Sequence, residues 1–236
     1  MYAREVEGTV HSFGVSGKLI MNGLVMYDRE TGTLWSQVLG EAVKGPLAGV
    51  KLRALPATQT TWAQWRSAHP ETLVLDKGGG YRGDRYASYF AGSKKGVLGS
   101  TRNDKRLPPK ELVIGIQGAS SAKAYPFRTL AREGVTNDTF EGRPLLIVFD
   151  DETGAGLVFD RSVDGRVLTF GPSERLSGQP MVVDHETGTR WNAVTGRAID
   201  GPLQGSRLEQ VPATYAFWFG WSDYYPKTEL YAGVEE

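Results

Sequence analysis

Three groups of carboxylates have the types and spacing to do chemistry: Asp28 with Glu30, Asp150 and Asp151 with Glu152, and Asp184 with Glu186. Neighbouring carboxylates can divide acid and base work between them. Each group, however, lies beside Gly32, Gly154 or Gly188 in a Glu-Thr-Gly corner. There an Asp side chain more often caps the turn by accepting its backbone N–H groups. The three histidines, His11, His69 and His185, stand alone and show no ligand spacing, so no metal site is expected from them. With no cysteine in the chain, disulfides, zinc–thiolate sites and a thiol nucleophile are excluded. No cofactor is expected. Gly78, Gly80 and Gly83 match the G-x-G-x-x-G spacing of a dinucleotide-binding turn, but no second parallel strand follows at βαβ spacing, and a plain glycine-rich loop is the better reading. Asn137, Asp138 and Thr139 fit a glycosylation acceptor and read more simply as a turn.

The corner holding the first carboxylate pair occurs twice. Asp28, Arg29, Glu30, Thr31, Gly32, Thr33, Leu34 and Trp35 return as Asp184, His185, Glu186, Thr187, Gly188, Thr189, Arg190 and Trp191. Both read as a strand end, a tight turn with glycine where a positive φ is needed, and a returning strand that carries Trp. The shift is 184 − 28 = 156, and it also carries Gly45, Pro46 and Leu47 onto Gly201, Pro202 and Leu203, and Trp62 and Trp65 onto Trp218 and Trp221. Upstream it becomes 165 − 8 = 157, pairing Gly8 and Phe13 with Gly165 and Phe170, so one residue is gained or lost near Gly17. Residues 4–75 and 161–231 therefore read as two copies of one unit.

Alternation of apolar residues predicts short strands over 6–27, broken at Gly14, Gly17 and Gly23, and further strands at 73–75, 113–116, 122–125, 145–149 and 157–159. Thr60 or Thr61 is expected to cap a short helix with Trp62 and Trp65 on one face and Pro70 at its end, and a second short helix is expected over 126–132. The expected fold is mainly β, a β-rich α+β protein of two fused pseudo-symmetric repeats of short strands and hairpins, each with a short Trp-bearing helix. The expected divisions are a first repeat at 1–76, a Gly/Tyr/Arg-rich connecting loop at 77–112, and a second repeat with its N-terminal lobe at 113–236. The first copy has no counterpart of the strands in that lobe. The expectation follows that another protein chain covers the strand edge at residues 2–10.

A residue that serves the fold should persist in both copies, whereas a site can survive in one. Trp35 persists as Trp191, but Gln37 becomes Ala193. Gln37 with Ser16, Asn22 and the loop residues Tyr81, Arg82, Arg85, Tyr86 and Tyr89 is the candidate ligand-binding set, a polar and aromatic cleft. Lys+Arg 27 against Asp+Glu 27 leaves a formal net charge of +0, which argues against a nucleic-acid partner. No apolar run reaches the roughly 18 residues of a bilayer span, so direct membrane insertion is not expected.

The chain resembles a prokaryotic family known only as domain of unknown function 3179. The resemblance rests on the Ser16-Gly17 turn followed by Asn22, on residues 26–37, 81–89, 122–127 and 135–139, and on 217–221 with 228–231. It implies no assigned reaction. Typical members look as though they carry an export signal, which implies an extracytoplasmic setting, and a Cys-Pro-x-Cys-Gly segment just before the first repeat. At the equivalent places of the second copy this chain has Asp150 and Thr153. The expected function is a non-catalytic binding or interaction module. The alternatives are an enzyme or metal/redox protein whose first-repeat site is incomplete here, and a structural subunit of a larger assembly.

Overall fold

A computed structural model describes residues 1–76, 78–79 and 86–234. Its strands are short because the turns come often and are built into the sequence. Glu7-Gly8, Met21-Asn22, Glu141-Gly142, Asp164-Gly165 and Ser177-Gly178 each place two consecutive residues at positive φ. That is the backbone of a two-residue type I′ hairpin, whose twist matches that of the strands it joins.

The chain opens with the hairpin β1 (Glu5–Val6) and β2 (Thr9–Val10), then forms an antiparallel four-stranded meander of β3 (Phe13–Ile20), β4 (Gly23–Asp28), β5 (Leu34–Ser36) and β6 (Glu41–Lys44). Helices α1 (Trp62–Ala68) and α2 (Ala87–Ala91) follow. Next come β7 (Leu112–Gln117), β8 (Ala122–Pro126), helix α3 (Phe127–Glu133), and the three-stranded sheet of β9 (Val135–Phe140), β10 (Arg143–Asp150) and β11 (Ala155–Asp160). A second small hairpin, β12 (Ser162–Val163) with β13 (Arg166–Val167), leads into a second four-stranded meander of β14 (Phe170–Leu176), β15 (Gln179–Asp184), β16 (Arg190–Asn192) and β17 (Ala198–Asp200). Finally β18 (Thr214–Phe217), α4 (Trp218–Tyr224) and β19 (Glu229–Leu230) return to β7 and β8, giving a sheet of order β18-β7-β8-β19 in which β19 runs parallel to β8. Strands take 40% of the structure and helices 11%, so the fold is β-rich as the alternation predicts. Among the described residues no helix is long and apolar enough to cross a membrane.

The two meanders match strand for strand, and the one-residue change of shift has a local cause. Between Val15 and Leu19 four steps on β3 face two on β4, from Met26 to Leu24. Between Ser173 and Leu176 three steps on β14 face two on β15. The first bulge is one residue longer, and the extra residue is absorbed there without disturbing the register on either side.

β10 is a continuous apolar run because both its faces are buried. Leu146 and Val148 join Leu157, Phe159, Phe170, Val182 and Trp191 in one core, while Leu145, Ile147 and Phe149 join Ile114, Tyr125 and Leu130 in another. A third core forms where Trp218 and Trp221 of α4 pack on Val113, Ala122 and Ala124. Gly115 lies under that contact, where a Cβ would stand 2.2 Å from the Trp221 ring. The first meander has a smaller core of Val6, Trp35, Ala42 and Leu52.

Two expectations are corrected. Residues 73–75 form no strand and are exposed, Leu73 at 96%. The matching stretch at β19 is a strand because β8 pairs with it, whereas among the described residues no strand pairs with 73–75. Asn137 lies within β9, where its amide accepts from Phe170 N at 2.8 Å and donates to Phe170 O at 2.7 Å, gripping the start of β14. The helix over 62–68 forms as expected, and its N-cap is Thr61, whose hydroxyl accepts from Gln64 N.

Candidate functional site

The repeated corner is a hydrogen-bonded frame around a buried carboxylate. Asp28 Oδ1 accepts from Thr31 N at 2.6 Å and Asp28 Oδ2 from Trp35 Nε1 at 2.9 Å, while the Thr31 hydroxyl lies between both oxygens and Thr33 Oγ1. Asp184 repeats this with Thr187 N at 2.7 Å and Trp191 Nε1 at 2.9 Å. A charge-assisted bond of this kind contributes about 1.5–3 kcal/mol, and losing the acceptor would strand a buried indole N–H. Burial pushes the Asp28 carboxyl up, but the bonds from Trp35 and Thr31 outweigh it and leave the group below its usual range. Glu30 Oε2 accepts from Ser12 N at 2.9 Å, and Glu186 Oε2 from Thr169 N at 2.8 Å. These backbone bonds hold both Glu carboxyls below the usual range.

The third corner, at Asp150, joins distant parts of the chain. Asp150 accepts from Thr153 Oγ1 at 3.0 Å, from Gln64 Nε2 of α1 at 2.7 Å and from Arg175 Nη2 of β14 at 2.6 Å. Burial raises its pKa, and the bonds from Thr153, Arg175 and Gln64 bring it below the ordinary value. With every described partner engaged, this buried carboxylate anchors α1 to the second half of the molecule.

One juxtaposition was not foreseen from spacing. The β1–β2 hairpin carries His11 over the first corner, with Nδ1 3.5 Å from Asp28 Oδ1 and 3.7 Å from Glu30 Oε2. The residue is 4% exposed, and among the described residues nothing meets Nδ1 in normal hydrogen-bond geometry. At the matching place, 11 + 157 = 168, the second copy has the buried Leu168. Lining up the copies at this position was the signal that would have found it.

The candidate ligand-binding residues are distributed as follows. Ser16 sits in the β3 bulge and donates to Val25 O at 2.6 Å. Asn22 accepts from Leu98 N at 2.7 Å and donates to Gly99 O at 2.6 Å, tying the connecting segment to the β3–β4 turn. Tyr89 accepts from Gly96 N at 3.0 Å and lies against Phe90, Phe217 and the Lys110 ammonium. Tyr86 precedes α2 and is exposed. Tyr81, Arg82 and Arg85, like Gly80 and Gly83, lie outside the described residues. Gln37 is exposed and lines a groove with Tyr2, Thr58, Gln59, Thr214 and Tyr215. An adjoining hollow of about 250 Å³ continues between Leu52, Leu55, Gly115 and Pro212. Tyr86 and Tyr89 line neither.

Residues 1–3 and 53–55 pair within the chain, through Ala3 N to Arg53 O and Leu55 N to Met1 O, both 2.9 Å. The face of the first meander beside this pairing is open. Phe13, Met26 and Val38 are half-buried and Gln37 is exposed, whereas the matching Phe170, Val182, Val194 and Ala193 are buried. In the second meander β10 and β11 supply the cover.

Fold and site together define a mainly antiparallel β protein of several small sheets, with its corners locked by Asp–Thr and Asp–Trp bonds and one of its two matching meanders left open on one face. The chain belongs to the family described as Protein of unknown function (DUF3179), whose model matches residues 1–228. No curated protein and no solved structure matches it.

Proposed function

We propose that the protein is a non-catalytic binding module made of two copies of one unit, and that its recognition surface is the open face of the first meander around Phe13, Met26 and Gln37. One observation carries this: positions sealed by β10 and β11 in the second meander lie open in the first. The partner that fits is a β-rich polypeptide segment, because strands of that kind cover the matching face. The half-buried Phe13 and Met26 offer apolar contact, and the groove at Gln37 offers neutral hydrogen-bonding groups at Thr58 and Tyr215. The corner carboxylates are engaged by turn and indole N–H groups, which supports binding over acid–base chemistry. The family resemblance supports an extracytoplasmic setting.

A photo-crosslinking amino acid at Met26 tests the reading in intact cells of the source organism, with Val97, which is 75% exposed, as the control position. The expected result is one discrete polypeptide adduct from position 26, absent from position 97 and weakened by Gln37→Arg. No discrete adduct at position 26, or the same adduct from both positions, would overturn it.

A further inference from the structure

We infer that His11, Asp28 and Glu30 form a binding site for a divalent first-row transition cation such as Zn²⁺. The inference does not depend on the binding surface proposed above. One ligand atom from each residue, an imidazole nitrogen of His11 and a carboxylate oxygen of Asp28 and of Glu30, falls in a group lying within 4.8 Å of one another. Bonds of about 2.0–2.2 Å to nitrogen and oxygen set tetrahedral ligands roughly 3.4 Å apart. The His11–Asp28 and His11–Glu30 separations of 3.5 and 3.7 Å already approach that spacing.

The carboxylates alone would not carry the inference, since Asp184 and Glu186 repeat them in the second copy. What singles out the first copy is the imidazole. Its Nδ1 is buried and faces both carboxylates at 3.5 and 3.7 Å, and among the described residues no donor or acceptor meets it in normal hydrogen-bond geometry. A cation held between this nitrogen and the two carboxylates would give the imidazole a ligand bond while the carboxylates keep the N–H bonds that orient them. One imidazole with two carboxylates suits a borderline metal better than a purely oxygen-seeking one. The outer contacts are in place: Trp35 Nε1 fixes Asp28 and Ser12 N fixes Glu30. The Glu30 side chain is 34% exposed, so that side leaves a coordination position open to water or to a ligand group.

The test is calorimetric titration of the full chain with Zn²⁺, with Co²⁺ absorption as a second readout of coordination. The expected result is one equivalent bound, with a tetrahedral Co²⁺ spectrum. His11→Leu installs the residue that the second copy carries at this place, so the frame should hold while binding is lost. Glu30→Gln should weaken binding at least about tenfold, and His185→Gln should leave it unchanged. Absence of saturable binding by the wild-type chain would overturn the inference, as would a folded His11→Leu protein that binds with wild-type stoichiometry and affinity. If His11→Leu does not fold, Glu30→Gln decides: retained wild-type affinity overturns the site, and the expected loss supports it.

Discussion

Five hydrogen bonds converge on Glu141, from the N–H groups of Ala119, Ser120 and Ser121 and the hydroxyls of Ser120 and Ser121. They hold the turn between β7 and β8 in place, and a Cβ at Gly118 would stand 2.4 Å from the Glu141 carboxyl, so a side chain there would push that carboxyl off its bonds. The hydroxyls of Ser121 and Ser120 are the leading causes that bring the Glu141 pKa down from 4.5 to about 2. A carboxylate depressed on folding contributes stability that is full above its unfolded pKa and disappears as pH falls through its folded one. Amide protection at Ser120 and Ser121 should therefore be high at pH 6 and fall as the pH drops from 4.5 toward about 2. Glu141→Gln should lower it already at pH 6. NMR exchange measurements check this, and protection that ignores both pH and the substitution would contradict it. Glu141 is silent in the sequence, since one Glu beside Gly142 looks like any turn residue. The corners at Asp28 and Asp184 are legible because a whole octet repeats. His11 is not, because the hairpin that brings it to Asp28 leaves no mark in local spacing.

At the scale of elements, α1 and α4 show one sequence pattern in two packing environments. In both, the Trp Nε1 donates at 2.9 Å to a Thr hydroxyl seven residues on, Trp65 to Thr72 and Trp221 to Thr228. Both indoles lie against the residue four positions later, His69 or Tyr225, with centroids 4.2 Å apart. Yet Trp221 is 1% exposed on the β7–β8 sheet, whereas Trp65 is half-buried and Trp62 is 50% exposed. The helices could be read from Thr61 and the Trp spacing, but their burial could not, because it depends on whether a sheet lies beneath. The same cause undid the strand expected at 73–75. Trp221→Ala should cost about 3–5 kcal/mol, and Trp65→Ala roughly 1–2 kcal/mol, since less packing is lost where the ring is already wet. Urea unfolding midpoints of the two variants measure this. Equal losses would mean that α1 is docked as firmly as α4.

Across the whole molecule, the two meanders differ mainly in what lies against them. The first is tied to the rest at a few points, among them Tyr224 to Ile20 O and Asn22 to residues 98–99. The second shares a core with β10 and β11. Backbone hydrogen bonds open at a free energy set by the packing around them, so a meander with one open face should open more readily than its sealed counterpart. Hydrogen exchange should show lower protection for β4 and β5 than for β15 and β16, although the registers Met26↔Trp35 and Val182↔Trp191 coincide. The sequence shows the match between these strands but not the difference, because cover is a property of neighbours far along the chain. A polypeptide that occupies the open face should raise protection in β4 and β5 toward that of β15 and β16 and leave the latter unchanged. Equal protection of the two meanders in the isolated protein would mean that the first is already as well packed as the second, and the open face would then offer a partner no gain in stability from covering it.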